Sequence, residues 1–275
     1  MGLQASLLAS SAAIGGPALF FYGFRQLRIR QLIEHTPTAR IRSMAMGLVE
    51  LNGRIESRSR VTAPFSGQPV AYWEIEVQTL RASRKGQRSW STVHRAHSGS
   101  PFYLRDETGV ALVFPDGADV RMSFGIEEQT NGLGVPSMYM DYMKQAGLGM
   151  RAVWAVGPMR FRERILAEGQ GVYVLGRAHP KPMAHSVSEI QDDELEATGT
   201  DAWSSRRLTQ VDGQVQGVVR RSQGDACYLI SPRSEKAMSA EYAIKAFGGV
   251  VGGPLVTLFG VWCLLELAKA GQLFR

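Results

Sequence analysis

Residues 246–265 of this 275-residue chain read AFGGVVGGPLVTLFGVWCLL. These twenty positions carry no charged side chain. At about 1.5 Å per helical residue they span roughly 30 Å, which is the thickness of the hydrocarbon core of a bilayer. The sequence therefore predicts a transmembrane helix over residues 246–266. A juxtamembrane helix is predicted over residues 234–245, directly after a Ser-Pro pair at 231–232.

A second uncharged run covers residues 5–24. A cleavable signal peptide begins with positive charge and ends at a small-residue cleavage site. Here no Lys or Arg precedes Arg25, and the basic residues follow the run. We therefore predict an uncleaved transmembrane anchor over residues 1–24 and a juxtamembrane helix over residues 25–37. A buried helical hairpin in a water-soluble protein is the alternative.

The basic residues near the two runs predict the orientation of the chain, because Lys and Arg accumulate on the cytoplasmic side of membrane proteins. Eight lie on the side of the middle region and two lie on the far side. We expect a bacterial inner membrane, with the middle domain in the cytoplasm and both termini outside. The same side chains can contact anionic lipid headgroups, and they account for much of the net charge of +6. The eight are Arg25, Arg28, Arg30, Arg40, Arg42, Arg233, Lys236 and Lys245, and the two are Lys269 and Arg275.

Glycines recur in the second run as two overlapping GxxxG patterns. Small residues four positions apart allow helix backbones to approach closely within lipid. Since the first run has alanines at the same spacing, we expect the two helices to pack on each other. Homodimerisation through the glycines is the alternative. The residues are Gly248, Gly249, Gly252 and Gly253 in the second run and Ala5, Ala9 and Ala13 in the first.

Between the runs the hydrophobic pattern has a period of two. Residues 70–80 (VAYWEIEVQTL) alternate between polar and apolar side chains, as expected for a half-buried strand. Short apolar stretches separated by turn residues continue this pattern to about residue 230. We therefore predict a mainly β, α+β domain over residues 38–233, built as an antiparallel sandwich or barrel.

The same pattern predicts several local features. Residues 48–55 (LVELNGRI) are expected to form a strand, a hairpin or a bulge centred on Asn52-Gly53, which is a strong turn pair. Pro136 is expected to start a short helix over residues 137–146. Residues 159–166 and 172–178 are expected to form two strands that pair across a turn at Glu168-Gly169.

Four stretches of the middle region resemble a known family. They are APFSGQPVAYWEIEV (63–77), PFYLRDETGVALVFPDGADV (101–120), ERILAEGQGVYVLGRA (163–178) and CYLISPRSEK (227–236). Together with the two anchors they are similar to the GIDE domain, also called the BAM ("beside a membrane") domain, over roughly residues 38–236. The best-known carriers of this domain are E3 ubiquitin ligases of the mitochondrial and chloroplast outer membranes. In those ligases the domain faces the intermembrane space, which conflicts with the orientation that the charges predict here.

The resemblance does not extend to the catalytic part of those ligases, in which a RING finger after the second anchor holds two zinc ions. This sequence has two cysteines, Cys227 and Cys263, and no CxxC pair. No RING zinc ligand therefore has a counterpart, and the resemblance implies no catalytic residue, metal site or cofactor here. We expect a RING-less prokaryotic form that is not itself an enzyme.

Other residue patterns give little support for chemistry. His94 and His97 form an HxxH pair, but a strand would direct the two side chains to opposite faces. The acidic run over residues 192–196 can bind a cation, although a solvated loop is expected. The sequence contains neither a GxSxG nor a Walker A pattern.

The strongest candidate for a partner-binding site is the basic segment after the strand at 70–80. A basic hairpin with an aromatic residue can contact phospholipid headgroups, an acidic protein or single-stranded nucleic acid. A solvated hairpin tip is the alternative. The candidate residues are Arg81, Arg84, Lys85, Arg88 and Trp90.

These features predict a two-anchor membrane protein whose GIDE/BAM-like domain acts as a binding or sensing module at the membrane surface. Its expected partners are the membrane and an unidentified protein, and nucleic acid is not favoured. The alternative is a component of an E3 ubiquitin ligase-like transferase system that acts with a separate RING-type partner.

Overall fold

A computed structural model gives the fold, and it describes residues 2–59, 61–82, 87–131, 134–148, 157–180, 211–225, 227–232 and 235–269. The chain divides into two units. One unit consists of residues 1–37 and 233–275, and the other consists of residues 38–232. Each unit is described by itself below.

The first unit contains two long helices, α1 (Gly2–His35) and α3 (Glu235–Lys269). Residues 4–35 and 239–269 are each long and apolar enough to cross a membrane. In the most apolar stretch of each segment, only 17% and 11% respectively is buried, whereas the core helix of a water-soluble protein would be mostly buried. The exposure of these helices therefore fits lipid-facing segments better than a buried hairpin.

The two helices approach each other closely at glycines. A Cβ atom added to Gly253 would lie 2.6 Å from the backbone nitrogen of Phe20, and one added to Gly260 would lie 2.6 Å from the backbone nitrogen of Ala13. Real Cβ atoms essentially never approach that closely, so only glycine fits at these positions. Close approach at small residues is the usual way in which helices associate within lipid.

The second unit contains a closed barrel of five strands. Each of the five strands pairs with the next one around the barrel in the order given below. The fifth strand pairs with the first, where Val174 is opposite Leu51, and this pairing closes the barrel. The strands are β2 (Gly47–Ser57), β7 (Phe102–Arg105), β8 (Val110–Val113), β13 (Val215–Arg220) and β12 (Gly171–His179). The buried core includes Val49, Leu51, Phe102, Leu104, Val113, Val174, Val219 and Ile230.

Three short strands extend this sheet. β1 (Thr38–Ala39) pairs with β2, while β14 (Leu229–Ser231) pairs with β12 and with β9 (Asp119–Val120). A 3-10 helix over Ile41–Ser43 connects β1 toward β2.

A separate four-stranded antiparallel sheet has the order β10 (Ile126–Thr130), β11 (Met159–Leu166), β5 (Tyr72–Ala82) and β6 (Arg88–His97). Helix α2 (Ser137–Gln145) packs on one face of it. There the ring of Phe65 meets the ring of Tyr139 edge-on at 4.8 Å, and Tyr139 stacks on Phe161 at 4.3 Å. The described residues of this unit also include a small hairpin of β3 (Val61–Thr62) and β4 (Pro69–Val70).

The predicted fold class, an α+β domain with a barrel-like sheet that is preceded and followed in the chain by apolar helices, is confirmed. Most strand pairs are antiparallel, but β1–β2, β8–β13 and β9–β14 are parallel. The structure also has a helix at Ser137–Gln145, where Pro136 was expected to start one.

Of the alternatives expected for residues 48–55, the strand is confirmed, because Asn52 and Gly53 lie inside the continuous strand β2 and form no hairpin. Gly53 is required for close packing, since a Cβ atom there would lie 2.7 Å from the carbonyl oxygen of Arg105. One local prediction was wrong: the strands at 159–166 and 172–178 do not pair with each other. They are β11 and β12, which lie in different sheets.

Candidate functional site

The candidate site is the face of the four-stranded sheet opposite α2, which we call the arginine face. In a strand, alternate side chains point to opposite faces, and here one set is apolar and packs on α2 while the other set is polar. The antiparallel register places the polar sets of all four strands side by side. The charged members of the arginine face are Arg88, Arg95, Arg160, Arg162, Arg164, Glu74, Glu76 and Glu127.

Three arginines of β11 form the central row of this face. Arg162 lies between two glutamates, with its Nη2 atom 2.9 Å from Glu127 Oε1 and its Nη1 atom 3.9 Å from Glu76 Oε2. Arg164 lies 3.8 Å from Glu74 in the same way. These ion pairs hold the guanidinium groups against the sheet instead of leaving them as freely moving side chains.

Aromatic rings support the same row. The guanidinium carbon of Arg160 lies 4.1 Å from the centroid of the Trp90 ring. Those of Arg162 and Arg164 lie 4.6 Å and 4.0 Å from the centroid of the Phe124 ring. A guanidinium over an aromatic face is attracted by the ring quadrupole, so these contacts further fix the orientation of the arginines.

Glu76 links the central row to β6. Its Oε1 atom accepts hydrogen bonds from Thr92 Oγ1 at 2.6 Å and from Arg95 Nη2 at 2.9 Å. Burial by itself would raise the pKa of Glu76, but the hydrogen bonds from Thr92, Arg95 and Gln78 outweigh it and hold the pKa below its usual value. Glu76 is therefore ionised at neutral pH and neutralises part of the charge of the arginines.

The charges do not cancel, because five arginines face three glutamates in the described strands. The excess positive charge lies on β6, where Arg88 is exposed and 60% of the Arg95 side chain is accessible to solvent. Guanidinium groups bind carboxylates and phosphates through paired N–H donors. The geometry therefore suits recognition of an anionic group on a rigid surface.

Only part of the basic segment predicted from the sequence as a partner-binding site lies on the arginine face. Arg88 and Trp90 lie on the arginine face, whereas Arg81, which is opposite Ser89, points to the other face and is exposed. Arg84 and Lys85 lie outside the described residues. The role of this segment in binding remains a prediction.

Sequence reasoning missed the arginine row on β11. The signal was present as MRFRERIL over residues 159–166, in which arginines alternate with other residues at the period of a strand. What the sequence did not contain was the register that places this row beside Glu74, Glu76 and Trp90.

The glycines of the predicted helix packing fall into two groups. Gly249 and Gly253 of α3 lie against α1, whereas Ala9 and Ala13 of α1 lie against Gly260 of α3. Gly248 has no heavy atom within 4 Å of an added Cβ, and the nearest one for Gly252 is Leu19 Cδ2 at 3.9 Å. Ala5 is exposed.

The two histidines of the HxxH pair lie on opposite faces of β6. His94 Nε2 is 3.1 Å from Tyr142 Oη on the α2 side, and His97 Nδ1 is 3.7 Å from Asp116. Among the described residues no group of three His, Cys, Asp or Glu could hold a metal ion. The acidic run over 192–196 lies outside them.

The fold and the two apolar helices fit one class of protein, a membrane protein. An α+β domain that contains a barrel is preceded and followed in the chain by a helix long and apolar enough to cross a bilayer. Residues 74–193 match the GIDE family, described as E3 ubiquitin ligase. The resemblance to that family is thus confirmed, over a shorter range than the residues 38–236 that were expected. Neither the curated proteins nor the solved structures compared with the chain include a match.

The matched residues contain the whole arginine face. The match begins at Glu74 in β5 and continues past the end of β12, so it includes Trp90, Phe124 and the arginine row of β11.

Proposed function

We propose that this protein is a membrane-anchored binding module, and that its arginine face binds an acidic segment of a partner protein. The observation that carries the proposal is the excess of guanidinium groups on a surface whose arginines are held in place by aromatic rings and glutamates. A preorganised surface loses little conformational entropy on binding, which favours recognition.

Carboxylates are the proposed ligand because of how the exposed arginines are placed. Arg88 and Arg95 lie on the outer strand β6, where an incoming chain can reach them. Arg95 already donates a hydrogen bond to a carboxylate, since Glu76 Oε1 accepts from both Arg95 and Thr92. An acidic segment would supply further acceptors to the same guanidinium groups.

The membrane setting of the proposal rests on the basic residues around the two spans. Their distribution supports a bacterial inner membrane with the domain in the cytoplasm. Labelling of single cysteines by a membrane-impermeant reagent in intact cells tests this. Labelling of the domain from outside the cell would reverse the proposed orientation.

The binding proposal is tested by proximity labelling from the domain in native membranes. The double substitution Arg88→Glu and Arg95→Glu should remove particular proteins from the labelled set, because the arginine face would then repel their acidic segments. Arg54→Glu is the matched control, since Arg54 is an exposed arginine on the barrel strand β2. An unchanged set of neighbours, or equal losses in the control, would contradict the proposal.

Nucleic acid is the competing ligand for an arginine-rich surface, and it gives a different result. Binding to single-stranded DNA or RNA that weakens steeply with salt would replace the acidic-protein proposal. A gel shift over a range of salt concentrations distinguishes the two ligands.

The alternative function is that of a component of an E3 ubiquitin ligase-like system, acting with a separate RING-type subunit. The observation that favours it is the description of the matching family as E3 ubiquitin ligase. It predicts that a RING-type protein or a ubiquitin-conjugating enzyme is among the labelled neighbours. It also predicts that adding this protein accelerates transfer in a reconstituted reaction, and no acceleration would rule it out.

A further inference from the structure

A second surface of the domain combines exposed apolar side chains with basic ones. Among the described residues of 38–232, the exposed large apolar side chains are Met46, Leu48 and Met138. Met46 is 53% exposed and Leu48 is 37% exposed, and only Gly47 separates them. Single exposed apolar residues are ordinary on protein surfaces, so the meaning of this pair depends on what surrounds it.

Two exposed arginines, Arg40 and Arg42, precede the pair in the chain. They are held in place by the 3-10 helix, because the side chain of Ile41 is fully buried and its backbone N–H donates to Asp106 Oδ2 at 2.8 Å. The backbone N–H of Arg42 donates to Thr108 Oγ1 at 3.1 Å. Residues 40–48 therefore form an ordered segment that carries both kinds of side chain, which we call the 40–48 segment.

Basic side chains continue across the barrel from Leu48. Leu48 is opposite Arg177 on β12, and Arg177 is opposite Arg220 on β13, so the three lie in one row on the outer surface. Arg177 is paired with Asp225 at 2.8 Å, whereas Arg220 is exposed. The β7–β8 turn beside the 40–48 segment carries two acidic residues, Asp106, which accepts the backbone N–H of Ile41, and the exposed Glu107. Four arginines (Arg40, Arg42, Arg177 and Arg220) face three acidic residues (Asp106, Glu107 and Asp225), so the described residues of the patch have a net positive charge.

The position of the segment in the chain indicates what covers it. Arg40 follows the last residue of α1, His35, by five positions, and α1 contains one of the two segments that can cross a membrane. An exposed Met–Leu pair among arginines has the composition of interfacial segments, which bury apolar side chains at the level of the headgroups and place basic ones beside anionic lipid.

We propose that the 40–48 segment docks on an anionic lipid surface. Met46 and Leu48 enter the boundary between headgroups and acyl chains, while Arg40, Arg42 and Arg220 contact the anionic headgroups. This inference goes beyond the proposed function, because it requires no protein partner and uses residues outside the arginine face and outside 74–193.

The test measures the depth of a fluorescent label in a defined membrane. The full chain, with Cys227→Ser and Cys263→Ala as background, is labelled with an environment-sensitive dye at Met46→Cys or, as the matched control, at Met138→Cys. Each form is reconstituted into vesicles of phosphatidylcholine alone or of equal parts phosphatidylcholine and phosphatidylglycerol. A thermal melt of each variant verifies that it is folded.

We expect the dye at position 46 to shift to shorter wavelength and to be quenched by lipid-attached quenchers in the anionic vesicles. The dye at position 138 should keep the emission of a water-exposed label. Arg40→Gln with Arg42→Gln should abolish the shift at position 46. The proposal is overturned by water-like emission at position 46 in anionic vesicles, by equal shifts at 46 and 138, or by the same shift without phosphatidylglycerol. Because only lipid is present, failure here leaves the protein-binding proposal intact.

Discussion

The indole ring of Trp90 lies 4.1 Å from the guanidinium carbon of Arg160, although β6 and β11, the strands that carry them, are not neighbours. The contact crosses the intervening strand β5 and joins the two sides of the arginine face. It also explains why an aromatic residue follows the basic segment of the hairpin. Trp90 contacts the protein's own arginine and so contributes to the arginine face by holding Arg160 in position.

This contact predicts an energetic coupling between the two residues. In a double-mutant cycle of Trp90→Leu and Arg160→Leu, the coupling should be about 0.5–2 kcal/mol, the range of cation–π pairs. Denaturant unfolding of the full chain in detergent measures it. Trp90→Leu combined with Arg54→Leu serves as control, because distant residues should be additive within about 0.5 kcal/mol. A coupling no larger than that of the control would show that the contact contributes nothing.

Gly53 and Gly171 give a matched test of the barrel, since both lie in paired strands. A Cβ atom at Gly53 would lie 2.7 Å from the backbone oxygen of Arg105, whereas one at Gly171 would meet nothing within 4 Å. Gly53→Ala should therefore destabilise the domain by about 1–3 kcal/mol, as overpacked sites do. Gly171→Ala should stay within about 0.5 kcal/mol of the wild type. Equal unfolding free energies for the two variants would contradict the close approach at Gly53.

The glycines of α3 predict which positions the helix pair requires. Gly253→Leu should separate the helices, because a Cβ atom there would lie 2.6 Å from the backbone of Phe20. Gly248→Leu should be tolerated, since the space around Gly248 is open. Thermal unfolding in lipid nanodiscs measures the difference. If Gly248→Leu were the more damaging change, packing of Gly248 against a second copy of the chain would be favoured.

Asp106 predicts a dependence of stability on pH. Its carboxylate accepts hydrogen bonds from the backbone N–H groups of Ile41, Thr108 and Gly109 and from the Thr108 hydroxyl. Burial alone would raise the pKa of Asp106, but these bonds outweigh it and lower the pKa. A lowered pKa in the folded state contributes stability above the unfolded pKa of about 3.9, and the contribution is lost as the pH falls through the folded value.

Asp106→Asn should accordingly destabilise the protein at neutral pH by about 1.5–3 kcal/mol, the value of a hydrogen bond to a charged group. The difference between the variant and the wild type should shrink as the pH falls below about 4 and should vanish only below the lowered pKa of folded Asp106, where the wild-type carboxylate also becomes neutral. Unfolding curves over a pH series measure both effects. A difference that is constant with pH would show that the charge of Asp106 is not responsible.

Much of the fold could be predicted because its signals are local. The two uncharged runs became the apolar parts of α1 and α3, and the alternation over residues 70–80 became β5, with Ile75 and Val77 on the α2 side and Glu74 and Glu76 on the polar side. Each of these signals depends only on residues that are close in sequence.

The strand pairings could not be predicted, because they depend on contacts between distant residues. Nothing near residue 159 indicates that β11 pairs with β5, about 80 residues earlier in the chain. The pairing expected across Glu168-Gly169 failed for this reason: β12 has β2, β13 and β14 as partners, and β11 pairs with β5 and β10 in the other sheet. Register between distant strands is determined by which faces become buried together.

The same limit applied to the candidate site. The basic segment drew attention to Arg88 and Trp90, but the arginines that complete the face come from β11 and become visible only through the register. At Asn52-Gly53 the local signal left a strand, a hairpin and a bulge open, and the strand that formed brings Gly53 close to the backbone of Arg105, which is distant in sequence.

Closure of the barrel by β2 and β12 has a consequence for synthesis. Leu51 leaves the ribosome about 120 residues before its partner Val174. At about 5–20 residues per second, β2 therefore waits for roughly 6–24 s with one edge unpaired, while the preceding hydrophobic helix is already available for insertion. During that interval the nascent chain exposes an unpaired strand edge, which is a template for pairing with other chains, so chaperones that cover it would protect the chain from aggregation.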